Sequence, residues 1–351
     1  MKKMLHNIGA GGLIAYLVVL AFLPVLWSVY GETQWLLILL RYLPGFILLA
    51  PIPILVLMAW NKKAVAAGLV AGLLGVFYFM GLELPARSKD GPNLRVMSYN
   101  IRAGLGGPEA IAEYLADSGI EVIALQEARA PLADPKADPV PTISDGLDGY
   151  SLARGGSRGE LVVLSRHPII ESQEIDLGGI ARALDVRLDV TGEPLRVINL
   201  HLMTGDPLGK LKKGKSGRFR WLNVTAESRA VQFEALNQHV EEEIPTLILG
   251  DFNTPPNSDG HALLSQSLSD CFGAVGSGFG YTFRADLPVW RIDYVWSSRE
   301  LVPCTAEVES CQLSDHRPLV VELDWKNREN LVPNRSPEPG DEDSGNESPQ
   351  S

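Results

Sequence analysis

Cysteine is scarce in this sequence of 351 residues, which contains only Cys271, Cys304 and Cys311. Three cysteines are too few for a disulfide framework, and their spacing matches no zinc site. A single bridge between Cys304 and Cys311 and a set of free thiols both fit the sequence. A fold held together by several disulfides or by a structural zinc ion is therefore excluded.

Positive charge is also in short supply. The chain has 31 lysines and arginines against 42 aspartates and glutamates, and its formal net charge is −11. This balance argues against an affinity for nucleic acid spread over the whole surface. One segment, residues 210–220, departs from it with four lysines and two arginines, Lys210, Lys212, Lys213, Lys215, Arg218 and Arg220. Any polyanion would therefore have to be bound locally.

Apolar residues, in contrast, are abundant and concentrated at the N-terminus. Three stretches almost free of charge, at about residues 8–30, 42–60 and 64–82, are long enough to cross a bilayer. Burial inside a soluble protein is the alternative, but the near absence of charge favours the membrane. Lysines precede the first stretch and separate the second from the third, so the positive-inside rule places both groups in the cytoplasm. We therefore predict a multi-pass protein of the cell membrane, with everything after Leu84 on the extracytoplasmic side.

The rest of the chain divides into three parts. Residues 85–93 form a polar linker after the membrane region 1–84, and a globular pattern covers residues 94–325. Residues 326–351 contain too little apolar surface to fold, which predicts a disordered acidic tail. The globular part opens with strand, helix and strand, at 94–100, 108–119 and 120–125. This succession indicates a crossover unit of an α/β sheet, in which both strands end at the same edge.

Polar residues recur where the predicted strands end. In the stretch 246–256, an apolar run stops at Gly250 and is followed by Asp251 and Asn253, which would lie at the edge of the sheet. A simple turn is the alternative, because aspartate and asparagine favour turns. The same pattern at other strands favours a functional site, whose full set is Asn100, Glu127, His201, Asp251, Asn253, Asp293, Asp315 and His316.

These residue types fit one kind of chemistry. Carboxylates with an amide suit a hard divalent cation such as Mg²⁺ or Mn²⁺, whereas zinc would require more closely spaced histidines or cysteines. Two histidines beside such a cation offer a general acid and a general base at neutral pH. Hydrolysis of a phosphoester is the reaction that needs this combination.

Six motifs extend this interpretation to a family. They are Ser-Tyr-Asn-Ile (98–101), Leu-Gln-Glu (125–127), Asn-Leu-His-Leu (199–202), Gly-Asp-Phe-Asn (250–253), Arg-Ile-Asp-Tyr (291–294) and Ser-Asp-His-Arg-Pro (314–318). In this order they resemble the endonuclease/exonuclease/phosphatase family of DNase I-like, metal-dependent phosphoesterases, here in a membrane-anchored form of bacterial type. The resemblance covers residues 94 to about 325. It implies a four-layered α/β sandwich of two packed mixed β-sheets flanked by helices, preceded by three transmembrane helices.

The resemblance also implies roles for single residues. The metal ligands would be Glu127, as the main one, with Asn100 and Asp315. The catalytic residues would be His201, Asp251, Asn253, Asp293 and His316. His316 would act on the attacking water while Asp293 holds its tautomer, and Asn253 and His201 would contact the phosphate. The choice of the base between Asp251 and His316 stays open. Arg229 and Gln232 fit structural roles.

The implied function is hydrolysis of a phosphodiester, in nucleic acid or in a phospholipid head group, by metal-assisted attack of water. A membrane-tethered phosphomonoesterase and a non-catalytic binding module are alternatives, although a binding module would be expected to lose Glu127 or His316. The basic loop 210–220 would overhang the cleft and contact DNA, RNA or lipid head groups, unless it is merely a solvated loop. No protein partner is predicted, and membrane lipids are the remaining expected contact.

Overall fold

The computed structural model describes residues 2–85, 94–130, 134, 137–179, 181–204, 218–240 and 244–326. Most of the predicted linker and nearly all of the predicted acidic tail lie outside these residues. The basic loop lies outside them up to residue 217, and the side chains of 218–220 are not described either.

The N-terminal part of the chain is helical and apolar. Its helices are α1 (Lys2–Tyr30), α2 (Trp35–Tyr42), α3 (Gly45–Leu49), α4 (Pro51–Ala59) and α5 (Lys62–Met80). By length and composition, α1 and α5 could each cross a membrane, and α2 together with residues 45–59 forms a further apolar pair bent by 101°. Arg41, which falls in the loop expected between the first two predicted stretches, is therefore helical. The predicted second stretch 42–60 is interrupted at Leu43 and Pro44, and the helix resumes at Gly45. The bend falls at Leu43, where the following Pro44 disfavours a helical backbone.

Close helix contacts show how the ends of these helices are arranged. A Cβ atom on Gly9 of α1 would meet Met58 and Ala59 at the end of α4. A Cβ atom on Gly45 of α3 would meet the backbone of Phe79 near the end of α5. The start of α1 and the α4–α5 junction therefore lie at one end of the bundle. The start of α3 and the end of α5 lie at the other.

Twelve strands form two six-stranded sheets within the described residues. They are β1 (Leu94–Asn100), β2 (Val122–Gln126), β3 (Ser151–Gly155), β4 (Leu161–Ser165), β5 (Ile169–Asp176), β6 (Arg182–Val190), β7 (Glu193–His201), β8 (Thr246–Asp251), β9 (Ser269–Asp270), β10 (Asp293–Ser297), β11 (Leu301–Val308) and β12 (Leu319–Trp325). The first sheet has the order β11-β12-β1-β2-β4-β3, and the second has the order β5-β6-β7-β8-β10-β9. The pairs β1–β2 and β7–β8 are parallel and the other pairs are antiparallel, so both sheets are mixed.

Five further helices belong to this part: α6 (Pro108–Asp117), α7 (Pro139–Asp145), α8 (Arg218–Gln238), α9 (Asp259–Leu264) and α10 (Cys271–Val275). Alternation along β1 shows how the layers form. Val96 packs into the core between the sheets, whereas Met97 and Tyr99 pack in the cluster that contains residues of α6 and α7. Residues of α8 and α9 cover the outer face of the second sheet in the same way. The predicted four-layered sandwich of two mixed sheets is confirmed.

A polar contact joins the two sheets below the strand ends. The Asn199 side chain on β7 donates to the carbonyl oxygens of Leu125 and Val162, both at 2.9 Å. Its Oδ1 accepts from Nε2 of Gln126 at 2.8 Å. Because buried polar groups are costly without partners, these bonds fix how one sheet lies on the other. Disulfides play no part here, since all three cysteines are free and buried.

Candidate functional site

The predicted strand-end residues meet at one edge of the sandwich. In the second sheet, His201, Asp251 and Asp293 occupy matching positions on three neighbouring strands. In the first sheet, Asn100 lies opposite Gln126, the residue before Glu127. Since β1, β2, β7 and β8 end here and β10 begins here, the side chains of both sheets face a common space.

Unusual backbone conformations occur at the same edge. Glu127 has φ +51° and Asn253 has φ +53°, although neither is a glycine. Such left-handed residues cost of order 1–3 kcal/mol and are frequent at functional sites. Gly250 has φ +149°, and a Cβ atom there would lie 2.1 Å from the carbonyl oxygen of Leu200. Glycine at this position therefore permits β7 and β8 to run side by side up to the site.

Asp251 lies at the centre of the site and is almost completely buried, with 1% of its surface exposed. Its Oδ2 lies 3.6 Å from Nε2 of His201 and 3.7 Å from Nε2 of His316. The same oxygen accepts a hydrogen bond from Nδ2 of Asn100 at 3.1 Å. Burial, and then the charge of Asp293, raise the pKa of Asp251 to about 6, although both histidines oppose the shift. This carboxyl group can therefore take up or release a proton near neutral pH.

His316 and Asp293 form a buried pair beside it. Nδ1 of His316 donates to Oδ2 of Asp293 at 2.9 Å, which leaves Nε2 on the side of Asp251. Burial alone would lower the pKa of His316, but the charges of Asp293 and Asp251 outweigh burial and raise it to about 10. The Phe283 ring, with its centroid 4.8 Å from that of the imidazole, covers the pair.

The groups that could hold a cation adjoin Asp251. The amide nitrogen of Asn100 donates to Asp251 and also to Oε1 of Glu127 at 3.2 Å, so two carboxylates converge on one amide. Such an arrangement of oxygen donors fits a hard divalent cation, which would relieve the repulsion between the carboxylates. Asp315 lies further out, with Oδ2 at 3.3 Å from Nη1 of Arg102.

A second grouping is more compact. Asp251, Asp293 and His316 offer ligand atoms within 4.8 Å of one another, and no other trio of acidic, histidine or cysteine side chains in the described residues is as close. Asp293 and His316 are already bonded to each other, however, and all three are buried. The trio therefore resembles proton-transfer machinery more than a cation site.

A cavity of about 340 Å³ opens over these groups. Six of the eight predicted residues line it, namely Glu127, His201, Asp251, Asn253, Asp315 and His316. The other two, Asn100 and Asp293, lie behind them and hydrogen-bond to Asp251 and His316 respectively. All eight predicted residues are thus brought together.

Several side chains at the site escaped the sequence analysis, among them Arg102, Trp290 and Tyr42. Arg102 contacts Asp315, and its backbone nitrogen donates to Oδ1 of Asn100 at 3.0 Å. Trp290 and Tyr42 form part of the cavity wall. Arg102 stands two residues after Asn100, so the end of β1 could have drawn attention to it. Tyr42 lies in an apolar N-terminal stretch, where no local pattern marks it.

Arg229 and Gln232, for which the sequence analysis expected structural roles, make structural hydrogen bonds. Nη1 of Arg229 donates to the carbonyl oxygen of Met203 at 3.3 Å, and Oε1 of Gln232 accepts from the Met203 nitrogen at 3.0 Å. Both residues belong to α8, and they hold the segment that follows His201.

Comparison with solved structures shows similarity over about two thirds of the chain. A conserved protein of unknown function from Enterococcus faecalis V583 is 17% identical with a TM-score of 0.52, covering 66% of this chain and 100% of its own. A mannosyl-6-phosphatase from Bacteroides thetaiotaomicron VPI-5482 is 17% identical with a TM-score of 0.51 over the same shares. A humanized D. rerio TDP2 is also 17% identical, with a TM-score of 0.51, over 66% of this chain and 98% of its own. At these identities the similarity shows the fold alone.

Sequence comparison supplies the family. No curated protein sequence matches the chain. The model of the endonuclease/exonuclease/phosphatase family, however, matches residues 97–316, which is more than half of the chain and includes all eight residues of the site. The chain therefore belongs to the endonuclease/exonuclease/phosphatase family.

Proposed function

We propose that this protein is a membrane-anchored, divalent-metal-dependent phosphoesterase that hydrolyses a phosphodiester by attack of water. The observation that carries the proposal is the position of the Asp251 carboxylate between the Nε2 atoms of His201 and His316, at 3.6 and 3.7 Å. A buried carboxylate flanked by two imidazoles provides a proton acceptor and two donors around one reacting group.

The protonation states suggest which group accepts a proton and which group donates one. Asp251, with its pKa raised to about 6, is ionised at neutral pH and close to the ideal for a general base. His316, with its pKa raised to about 10, is protonated and donates from Nε2. Asp251 therefore accepts the proton of the attacking water, while His316 stabilises charge on the phosphoryl oxygens. His201 and Asn253 line the same cavity and orient the phosphate and its leaving group.

Glu127, Asn100 and Asp315 are the residues that would hold Mg²⁺ or Mn²⁺. When bound, such a cation supplies charge neutralisation of the phosphate and polarises the bond to the leaving oxygen. Glu127 and Asp315 both line the cavity with about a third of the side chain exposed, whereas Asn100 lies behind them.

The arrangement of the helix bundle supports a membrane anchor with the catalytic domain outside the cytoplasm. Lys62 and Lys63 lie at the junction of α4 and α5, the same end as the start of α1. The catalytic domain contacts the opposite end, where Nε1 of Trp290 donates to the carbonyl oxygen of Tyr42. Under the positive-inside rule, three crossings then carry residues 94–325 to the extracytoplasmic side.

The test uses the full chain in detergent with Mg²⁺ and bis(p-nitrophenyl) phosphate as the substrate. We expect hydrolysis that falls by about 10²-fold or more in His316→Ala and in Glu127→Gln. His239→Ala is the matched control and should retain full activity, because His239 is exposed just after the end of α8. Unchanged rates in both site variants would contradict the proposed function.

A further inference from the structure

Part of the active-site wall comes from the apolar N-terminal region. Tyr42, the last residue of α2, lines the same cavity as Asp251 and His316. Its carbonyl oxygen accepts from Nε1 of Trp290 at 2.9 Å, and its side chain packs with Leu222 of α8. The cavity is therefore composite, since residues on both sides of the linker build it.

Buried charges hold α2 in this position. Nη1 of Arg41 lies 2.6 Å from Oδ1 of Asp259 in the catalytic domain and 3.3 Å from Oε1 of Glu32. Only 3% of the Arg41 side chain is exposed. The Arg229 guanidinium lies 5.0 Å from the centre of the Tyr42 ring. The Asp259 side chain is half exposed, but the Arg41 guanidinium is buried. Since loss of its carboxylate partners would leave this buried charge uncompensated, the network fixes Tyr42 against the site.

The wall that includes Tyr42 is apolar and leads toward the ends of the long helices. Phe283, Trp290 and Ile292 continue it within the active-site cavity. Trp290 also lines a neighbouring cavity of about 390 Å³, whose lining includes the apolar Leu43, Phe77 and Met80 as well as charged residues such as Arg41 and Arg291. The three apolar residues lie just before α3 and at the end of α5. Apolar side chains therefore continue from the catalytic groups to the ends of the apolar helices.

The cavity combines one polar cluster with an apolar wall. Glu127, Asp251 and Asp315 belong to the cluster that handles one phosphoryl group and its cation. Most of the remaining described lining is apolar or aromatic. A ligand with a single phosphoryl group attached to an apolar body matches this lining.

Tyr42 contributes its ring, and not its hydroxyl, to this wall. Tyr42 is 6% exposed, its hydroxyl oxygen is buried, and the Arg229 guanidinium lies beside it. Because the hydroxyl is buried, the ring carries the contact between Tyr42 and a ligand in the cavity.

We propose that α2 is a specificity element and that the substrate is the phosphoester of a membrane lipid. This inference rests on the proposed function. The phosphoryl group lies over Asp251 and His316, and the apolar part follows Tyr42 and Trp290 toward the ends of the helices.

The experiment compares three substrates on the full chain in mixed micelles with Mg²⁺: a phospholipid, single-stranded DNA and bis(p-nitrophenyl) phosphate. We expect kcat/KM for the phospholipid to exceed that for DNA by about 100-fold or more, and Tyr42→Ala to lower the lipid value at least about 10-fold more than the value for the chromogenic ester. Tyr42→Phe, which keeps the ring, should leave both values within about 2-fold, because the ring makes the contact with the apolar part of the substrate. Leu36→Ala, on the exposed side of the same helix, is the control and should change neither value.

Three results would overturn this inference: faster hydrolysis of DNA than of lipid, equal losses on lipid and chromogenic ester in Tyr42→Ala, or an unchanged lipid value in Tyr42→Ala. If Tyr42→Ala does not fold, the comparison of phospholipid with DNA on the unaltered protein still tests the inference. Absence of hydrolysis of the chromogenic ester by the unaltered protein would overturn the proposed function instead, and the inference with it.

Discussion

Oδ2 of Asp293 accepts a hydrogen bond from Nδ1 of His316 at 2.9 Å, and the opposite ring nitrogen lies 3.7 Å from Asp251. Asp293 therefore fixes both the tautomer and the orientation of the imidazole. It also raises the pKa of His316, since its charge opposes the effect of burial. One carboxylate thus controls where the His316 proton is and how firmly it is held.

Replacing Asp293 by asparagine should disable the pair without removing a side chain. The amide keeps the shape but loses the charge, so the protonated form of His316 is less favoured and only the charges of Asp251 and Asp315 still support it. We expect Asp293→Asn to lower kcat for bis(p-nitrophenyl) phosphate by about 10²- to 10⁴-fold with little change in KM. Steady-state kinetics of the full chain measures both quantities.

The control for this change is Asp148→Asn, because Asp148 is exposed in a loop. It should leave kcat as it is. If Asp293→Asn retained full kcat, His316 could not depend on the Asp293 charge. A rise in KM with kcat unchanged would assign Asp293 to substrate binding instead.

The raised pKa of Asp251 predicts how the stability of the metal-free protein varies with pH. The folded pKa of about 6 exceeds the unfolded value of 3.8, so this group stabilises the fold below pH 3.8 and loses that contribution as the pH rises through about 6. The contribution of His316 is complete below pH 6.5 and disappears only as the pH approaches about 10. As the pH rises from 4.5 to 6.5, the ionisation of Asp251 should therefore lower Tm.

The measurement is thermal unfolding of the full chain in detergent and a chelator at these two pH values. Asp251→Asn cannot ionise, so the change in Tm between pH 4.5 and 6.5 should become more positive than in the unaltered protein. Comparison of the two pH values removes the constant effect of the lost hydrogen bonds. An identical pH dependence in both proteins would show that Asp251 does not titrate in this range.

Mg²⁺ should stabilise the folded protein through Glu127. A ligand that binds only the folded state at about 100 times its Kd adds about 2.7 kcal/mol, so Tm should rise with Mg²⁺ concentration. Glu127→Gln should abolish most of this rise, because the amide loses the negative charge that a hard cation prefers. Glu109→Gln, exposed on the first turn of α6, provides the control. An equal rise in both variants would mean that the cation binds elsewhere.

The site was largely predictable because its signals are local. Alternation within a strand determines which residues face the core, and a polar residue after an apolar run marks where a strand ends. Asp251 and Glu127 were found in this way, and the shared edge followed from the parallel pairs β1–β2 and β7–β8. The sequence could not show that Asp251 lies between His201 and His316. This central position appears only in the structure.

The contribution of α2 was not predictable because its contacts are not local in the sequence. Arg41 was expected in a loop, because a charge beside apolar stretches usually marks their boundary. Its partner Asp259 lies 218 residues away along the chain, and their pairing depends on how α2 packs on α8. Tyr42 reaches the cavity through the same packing. Contacts of this range leave no periodic signal in a single sequence.

Gly250 offers a test of the backbone geometry that brings the site together. Alanine there would adopt φ +149° and place its Cβ 2.1 Å from the Leu200 oxygen, so β7 and β8 would have to separate next to His201 and Asp251. We expect Gly250→Ala to cost more than about 3 kcal/mol of stability and to reduce activity in any folded fraction. Gly149→Ala is the matched control, because Gly149 has φ +81° with no atom within 4 Å of the added Cβ, so it should cost only about 1 kcal/mol. Thermal unfolding compares the two, and equal costs would show that positive φ alone, and not the contact with Leu200, makes glycine necessary at position 250.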